Sequence, residues 1–235
     1  MTRVEELTGN LARVRRRIAD AATAAGRSAG EVGLVVVTKF FPASDVQILA
    51  GLGVTDVGEN RHQEAEAKTA ECAGLGVTGL RWHFIGGLQS NKASAVAAYA
   101  DVVESVDRAK LLGPLSRGAH QRGRVLDVLL QVSLDPPEHG GRSGVAPDDL
   151  AALAAATAQT EGLALRGLMA VAPLGEDPAA AFDRLARIRS AFLTDHPDAT
   201  ILSAGMSGDL EEAVAAGATH VRVGSAVLGS RPALT

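Results

Sequence analysis

The chain opens with an amphipathic stretch, MTRVEELTGNLARVRRRIADAA, whose apolar positions recur at helical spacing. One alternation then repeats: a short β-branched or apolar run, a polar break, and a longer Ala/Leu-rich stretch with helical periodicity. Strands are predicted near residues 32–39, 55–59, 81–86, 102–106, 126–133, 164–171, 200–205 and 220–225. Helices are predicted over 43–52, 61–72, 91–100, 108–121, 148–161, 178–194 and 209–216, each between consecutive strands. Strands that alternate with helices imply a parallel sheet. Eight of them imply closure into a single (β/α)8 TIM-like barrel with an extra N-terminal helix. An open doubly wound sheet is the rival, but VTKFFPAS follows the first strand where that fold needs a glycine-rich turn.

Composition narrows this picture. At 235 residues the chain can bury one sizeable core, so residues 1–235 are expected to form one domain. No apolar run approaches the roughly 20 residues of a membrane span, and the N-terminal helix lacks the apolar core of an export signal. The net charge of −4 gives no pull toward nucleic acid, and Arg15 to Arg17 read as a solvated helix face. A single cysteine, Cys72, excludes an internal disulfide framework and fits a reducing cytoplasm. The six histidines lack metal-ligand spacing, so no metal site is expected. Only four of the 23 basic residues are lysines, which draws the eye to the one that follows an apolar strand, Lys39.

In a barrel of this kind, functional groups lie at the C-terminal ends of strands and in the loops beyond. Lys39 ends the first strand after Leu34-Val35-Val36-Val37-Thr38. A partly desolvated lysine has a lowered pKa, and its neutral amine can form a Schiff base with a carbonyl. A lysine snorkelling into solvent is the plainer reading. The far end of the chain favours the first. SAGMSGD at residues 203–209 and RVGS at residues 222–225 surround the seventh and eighth strands, where barrels frequently bind phosphate. Ser207 can be both a helix cap and a phosphate donor, Gly224 lets the backbone approach an anion closely, and Ser225 adds a hydroxyl; the plainer reading is that Ser207 or Asp209 merely caps a helix and Gly224-Ser225 is a turn. Period-two alternation turns Arg222 inward, where it needs an acceptor such as a pyridine nitrogen or a carboxylate such as Glu59. Asn60 closes the second strand and reads first as a turn residue that can also bond a ring hydroxyl. His83 reads as a satisfied core histidine without chemistry, and Met169 as barrel filling.

The segments VTKFFP around Lys39, GEN at Gly58 to Asn60, WHFIGGLQSNK at Trp82 to Lys92, RSG at Arg142 to Gly144 and RGLMAV at Arg166 to Val171 occur in that order. They are followed by SAGMSGDLEEAVAAGATHVRVGSAVLG at Ser203 to Gly229. With this set the chain resembles the pyridoxal phosphate homeostasis proteins, a group similar to the N-terminal barrel of alanine racemase. The resemblance implies that Lys39 carries pyridoxal 5′-phosphate and that Arg222 faces its pyridine nitrogen. It also implies that Ser207, Gly224 and Ser225 hold the phosphate, with Asn60 and Ser203 nearby. Three positions depart from the usual pattern: Gly87 replaces proline, Arg142 replaces a common lysine, and Ser225 replaces a frequent threonine. Arginine cannot form a Schiff base, so a hand-over role at position 142 would be electrostatic.

A racemase of the related fold needs a second base, a tyrosine, opposite the lysine. The only tyrosine, Tyr99, falls in a helical stretch before the fourth strand, and an inward Arg222 weakens the ring as an electron sink. The expectation is therefore a non-enzymatic, monomeric, cytoplasmic protein that binds, buffers or delivers the cofactor, with pyridoxal-phosphate-dependent apoenzymes as partners. A racemase or lyase acting on a small amino acid is the alternative, and a scaffold that docks partners through its N-terminal helix is a third reading.

Overall fold

The computed structural model describes residues 1–135 and 143–230; Arg142 lies outside them. Eight parallel strands close into a barrel in sequence order: β1 (Gly33–Val37), β2 (Asp56–Glu59), β3 (Arg81–Phe84), β4 (Val102–Val106), β5 (Leu126–Gln131), β6 (Leu163–Met169), β7 (Ile201–Ser203) and β8 (His220–Val223). Closure pairs β1 with β8, with Val35 opposite Arg222 and Val36 opposite Val223. The expected (β/α)8 barrel with its N-terminal helix is what the chain forms.

The helices are α1 (Arg3–Ala24), α2 (Ala43–Gly51), α3 (His62–Gly74), α4 (Ala93–Tyr99), α5 (Leu112–Arg122), α6 (Leu150–Ala158), α7 (Pro178–Asp195), α8 (Leu210–Ala215) and a terminal turn α9 (Ser225–Leu228). Short Val-rich strands flanked by Ala/Leu-rich helices bury one strand face against the helices. Val36, Val57, Val221 and Val223 pack there with Leu49, Leu210 and Val214. None of the described helices is long and apolar enough to cross a membrane.

A capping box between Thr2 and Glu5 starts α1. Its stripe of Leu7, Leu11, Val14 and Ile18 is buried in the same cluster as residues of α8 and α9, so this apolar face is already used within the chain. The arginines on its other side are more than a solvated face. Arg17 pairs with Glu211 at 2.8 Å and donates to the Ser207 carbonyl at 3.1 Å, while Arg15 donates to the carbonyls of Leu52 and Gly53. Guanidinium groups can reach several acceptors at once, which lets the run fasten α1 to the neighbouring loops.

The other strand face points into the barrel, and there the chain departs from an apolar filling. Val102, Leu129 and Met169 form a small apolar cluster, but Glu104, Ser203 and Arg222 are buried beside it. One glycine has a steric reason. At Gly167, with φ of +152°, a Cβ would lie 1.9 Å from the Ile201 carbonyl oxygen of the next strand. Gly167→Ala is expected to cost about 2 kcal/mol or more through overpacking and backbone strain, read as a lowered urea midpoint with an unchanged slope.

Candidate cofactor site

A cavity of about 510 Å³ opens at the C-terminal end of the barrel, where β1 and β8 meet. Lys39, Asn60, Ser207, Arg222, Gly224 and Ser225 all line it, together with Phe40, Phe41, Ile85 and Met169. Residues from the two ends of the chain thus share one wall because closure places β1 against β8. Ser203 is the exception among the expected residues: it is fully buried beneath Arg222 and outside the lining.

Strand β1 stops at Val37, two residues before Lys39, so Lys39 sits in the turn beyond the strand rather than on its end. The Thr38 N–H still bonds the Gly58 carbonyl at 2.9 Å, and the chain then bends at Phe40, a non-glycine residue with φ of +71°. Gly224 packs against this bend. A Cβ there would come within 3.3 Å of the Val37 carbonyl oxygen and 3.4 Å of the Val37 Cβ.

Gly224 is also the residue before α9, and Ser225 begins that turn. The first N–H groups of any helix lack intrahelical acceptors, so this end offers donors beside the Ser225 hydroxyl. Ser207 does not cap α8, because the helix starts at Leu210 behind Asp209. The Asp209 carboxylate accepts the Met206 N–H instead, which folds the 206–209 loop back on itself and leaves Ser207 on the cavity wall.

Arg222 lies on the cavity floor with its guanidinium buried. Its Nη1 donates to Ser203 Oγ at 2.7 Å and its Nη2 to the Ala170 carbonyl at 2.8 Å. Ser203 Oγ donates in turn to Glu104 Oε2 at 2.6 Å, and that carboxylate lies 3.8 Å from Arg222 Nη1. The core carboxylate facing Arg222 is therefore Glu104. Glu59, the partner considered from sequence, accepts from Thr38 Oγ1 and Lys68 Nζ, both at 2.6 Å.

Behind Glu104 stands His83, with Nδ1 2.7 Å from Glu104 Oε1 and Nε2 2.9 Å from Asp56 Oδ1. Burial alone would lower the imidazole pKa, but hydrogen bonds to the two carboxylates overcome it and raise the value from 6.5 to about 9. Burial would likewise raise the Glu104 carboxyl, yet the His83 hydrogen bond and the charges of His83 and Arg222 hold it low. Burial pulls the Arg222 guanidinium below its ordinary value, but an arginine keeps its proton in a protein. The barrel axis thus carries Asp56, His83, Glu104 and Arg222 with alternating sign. Sequence reasoning left out Glu104 and Asp56 and gave His83 no chemistry. The usable signal was inward parity, since Glu104 shares the face of Val102 in VVESV.

The profile of the alanine racemase N-terminal domain matches residues 9–232. The chain belongs to this family. Within it, the chain is 47% identical over 247 residues to the pyridoxal phosphate homeostasis protein of Mycobacterium tuberculosis (strain H37Rv), covering 97% of this chain and 94% of the relative. Identity to the protein of that name in Escherichia coli (strain K12) is 39% over 231 residues, with coverage of 97% and 98%. Among solved structures, PipY of Synechococcus elongatus PCC7942, determined with PLP bound, is 36% identical. It superposes with a TM-score of 0.81 over 95% of this chain and 100% of that one.

The His83 pair fixes a pH dependence. A folded pKa of about 9 above a reference of 6.5 adds stability that is complete below the lower value and lost as pH rises through the upper one. The melting temperature is expected to fall between pH 7 and pH 10, measured by calorimetry. His83→Gln, which strips Glu104 and Asp56 of their cation, is expected to cost about 3–5 kcal/mol at neutral pH and to flatten that dependence.

Proposed function

We propose that this protein binds pyridoxal 5′-phosphate covalently through Lys39 and serves cofactor homeostasis, holding and releasing the cofactor. One observation carries the reading: a lysine and an arginine from opposite ends of the chain line the same cavity as two hydroxyl residues and a close-packed glycine. The donor set fits the cofactor. Ser207, Ser225 and the start of α9 suit a phosphate. Arg222 suits an acceptor on the ring and Lys39 an aldehyde, while Ile85 and Met169 suit the ring faces. The similarity to pyridoxal phosphate homeostasis proteins and to the PLP-bound PipY supports the same reading.

Pyridoxal phosphate, when bound, supplies an electron sink for carbanion chemistry. The chain's own residues work against using it. Arg222, a fixed cation whose N–H groups only donate, suits an unprotonated ring nitrogen and so a weaker sink. Tyr99, the candidate second base, ends α4 and stacks on His62 at 5.9 Å between ring centroids, away from the cavity lining. Burial, with the charges of Glu59 and Glu66, pushes its hydroxyl well above the ordinary range. A base with so high a pKa transfers protons poorly near neutral pH. We therefore read the protein as a carrier rather than a racemase. In this reading residues 1–235 act as one domain, as a monomer in the cytoplasm, and the apoenzymes that use pyridoxal phosphate are its partners.

Purified protein loaded with pyridoxal 5′-phosphate is expected to show the absorbance of a lysine-bound cofactor, and Lys39→Ala to lose it while retaining the fold by circular dichroism. An unchanged band in the variant would overturn the assignment. Against the racemase or lyase alternative, no exchange of the α-hydrogen is expected across a panel of small amino acids in D₂O, followed by proton NMR.

A further inference from the structure

A second buried charge cluster lies directly behind the Lys39 turn, and cofactor contacts do not explain it. Lys68 on α3 has a side chain only 6% exposed. Its ammonium donates to the Thr38 carbonyl at 2.7 Å, to Glu59 Oε1 at 2.6 Å and to Glu64 Oε1 at 3.1 Å. All three of its donors are thereby used. Glu64 Oε1 also accepts the N–H of Phe40.

The Thr38 carbonyl and the Phe40 N–H belong to the two peptide groups that flank the Lys39 α-carbon. Lys68 holds the first directly and the second through Glu64, which sits one helical turn before it on the same face of α3. Between them the backbone of Lys39 is clamped from both sides. The clamp acts where the chain needs it, because Phe40 occupies the left-handed region at φ of +71°, unfavourable for a bulky residue. The Arg61 guanidinium lies 5.0 Å over the Phe40 ring and covers it.

Stability alone is a poor reason for such a cluster, since a buried ion pair gains little over well-packed apolar side chains. A fixed direction for one side chain is a better one. We propose that Lys68, with Glu59 and Glu64, is a positioning residue that sets how Lys39 leaves the backbone and so its reach to a bound aldehyde. The proposal rests on Lys39 being the attachment point.

Two ligands separate positioning from mere folding. Pyridoxal 5′-phosphate can link to Lys39 with loss of one water, whereas pyridoxine 5′-phosphate carries an alcohol in place of the aldehyde and cannot. Both are titrated into full-length wild type, Lys68→Met, Lys68→Arg and Glu64→Ala, after each variant's fold is checked by circular dichroism. Lys68→Met is expected to lose affinity for the aldehyde about tenfold or more, as misplaced reacting groups do. It is expected to retain the wild-type affinity for the alcohol, and Lys68→Arg, which keeps a cation with several donors, to recover part of the loss. Should Lys68→Met fail to fold, Glu64→Ala, which releases the Phe40 N–H alone, is expected to show the same split to a smaller degree. Equal losses for both ligands, or wild-type linkage in the folded variants, would overturn the proposal. A wild type that never links through Lys39 would instead refute the attachment itself.

Discussion

The hydrogen bond from Arg222 to Ser203, backed by Glu104, is the constraint on which the site depends. A guanidinium inside a barrel is expensive unless its donors and its charge are answered. Here the Ala170 carbonyl and Ser203 answer the donors, and Glu104 answers the charge. Glu104 would be as costly by itself, and His83 holds it ionised while Asp56 in turn holds His83 protonated. The charges alternate along the barrel axis toward the cavity, so the last cation stands at the floor in one orientation. That alternation explains why the interior is only partly apolar.

Barrel closure supplies the second half of the geometry. Pairing β1 with β8 sets Val35 beside Arg222 and brings Gly224 against Val37, so the lysine turn and the α9 turn share a wall. Neither turn alone makes a site. Gly224 leaves room where any side chain would push on the Val37 carbonyl, and the position of Lys39 is inherited from that contact on one side and from α3 on the other. A cofactor spanning the cavity would meet both ends of the chain at once.

Much of this was legible in the sequence, and the limits have physical causes. Eight strands and seven interstrand helices emerge from periodicity because Val-rich runs and Ala/Leu-rich stretches are locally consistent. Lys39 and Arg222 stand out because a charged residue next to apolar alternation needs a reason. Period-two parity turns Arg222 inward, yet parity cannot say which carboxylate it meets across the barrel: that is Glu104, whereas Glu59, the example the sequence offers, pairs with Lys68. Of the two cap candidates in SGD the residue before α8 is Asp209 rather than Ser207, and the backbone turn that Asp209 makes with Met206 is not encoded by residue type alone. Arg15 and Arg16 are exposed as periodicity predicts, but periodicity does not show the neighbouring carbonyls that Arg15 and Arg17 reach. Lys68 was passed over for a related reason: its acceptors come from three separate segments, and only the folded chain gathers them.

The role given to Arg222 is the most exposed to test. Protein loaded with pyridoxal 5′-phosphate labelled with ¹⁵N in the ring can be observed by NMR at neutral pH, where the nitrogen shift reports directly whether a proton is attached. An unprotonated nitrogen is expected, because Arg222 can only donate to it. A protonated ring nitrogen in the wild-type protein would contradict the placement of Arg222 opposite it and, with that, the view of the site as a holding place rather than a catalytic centre.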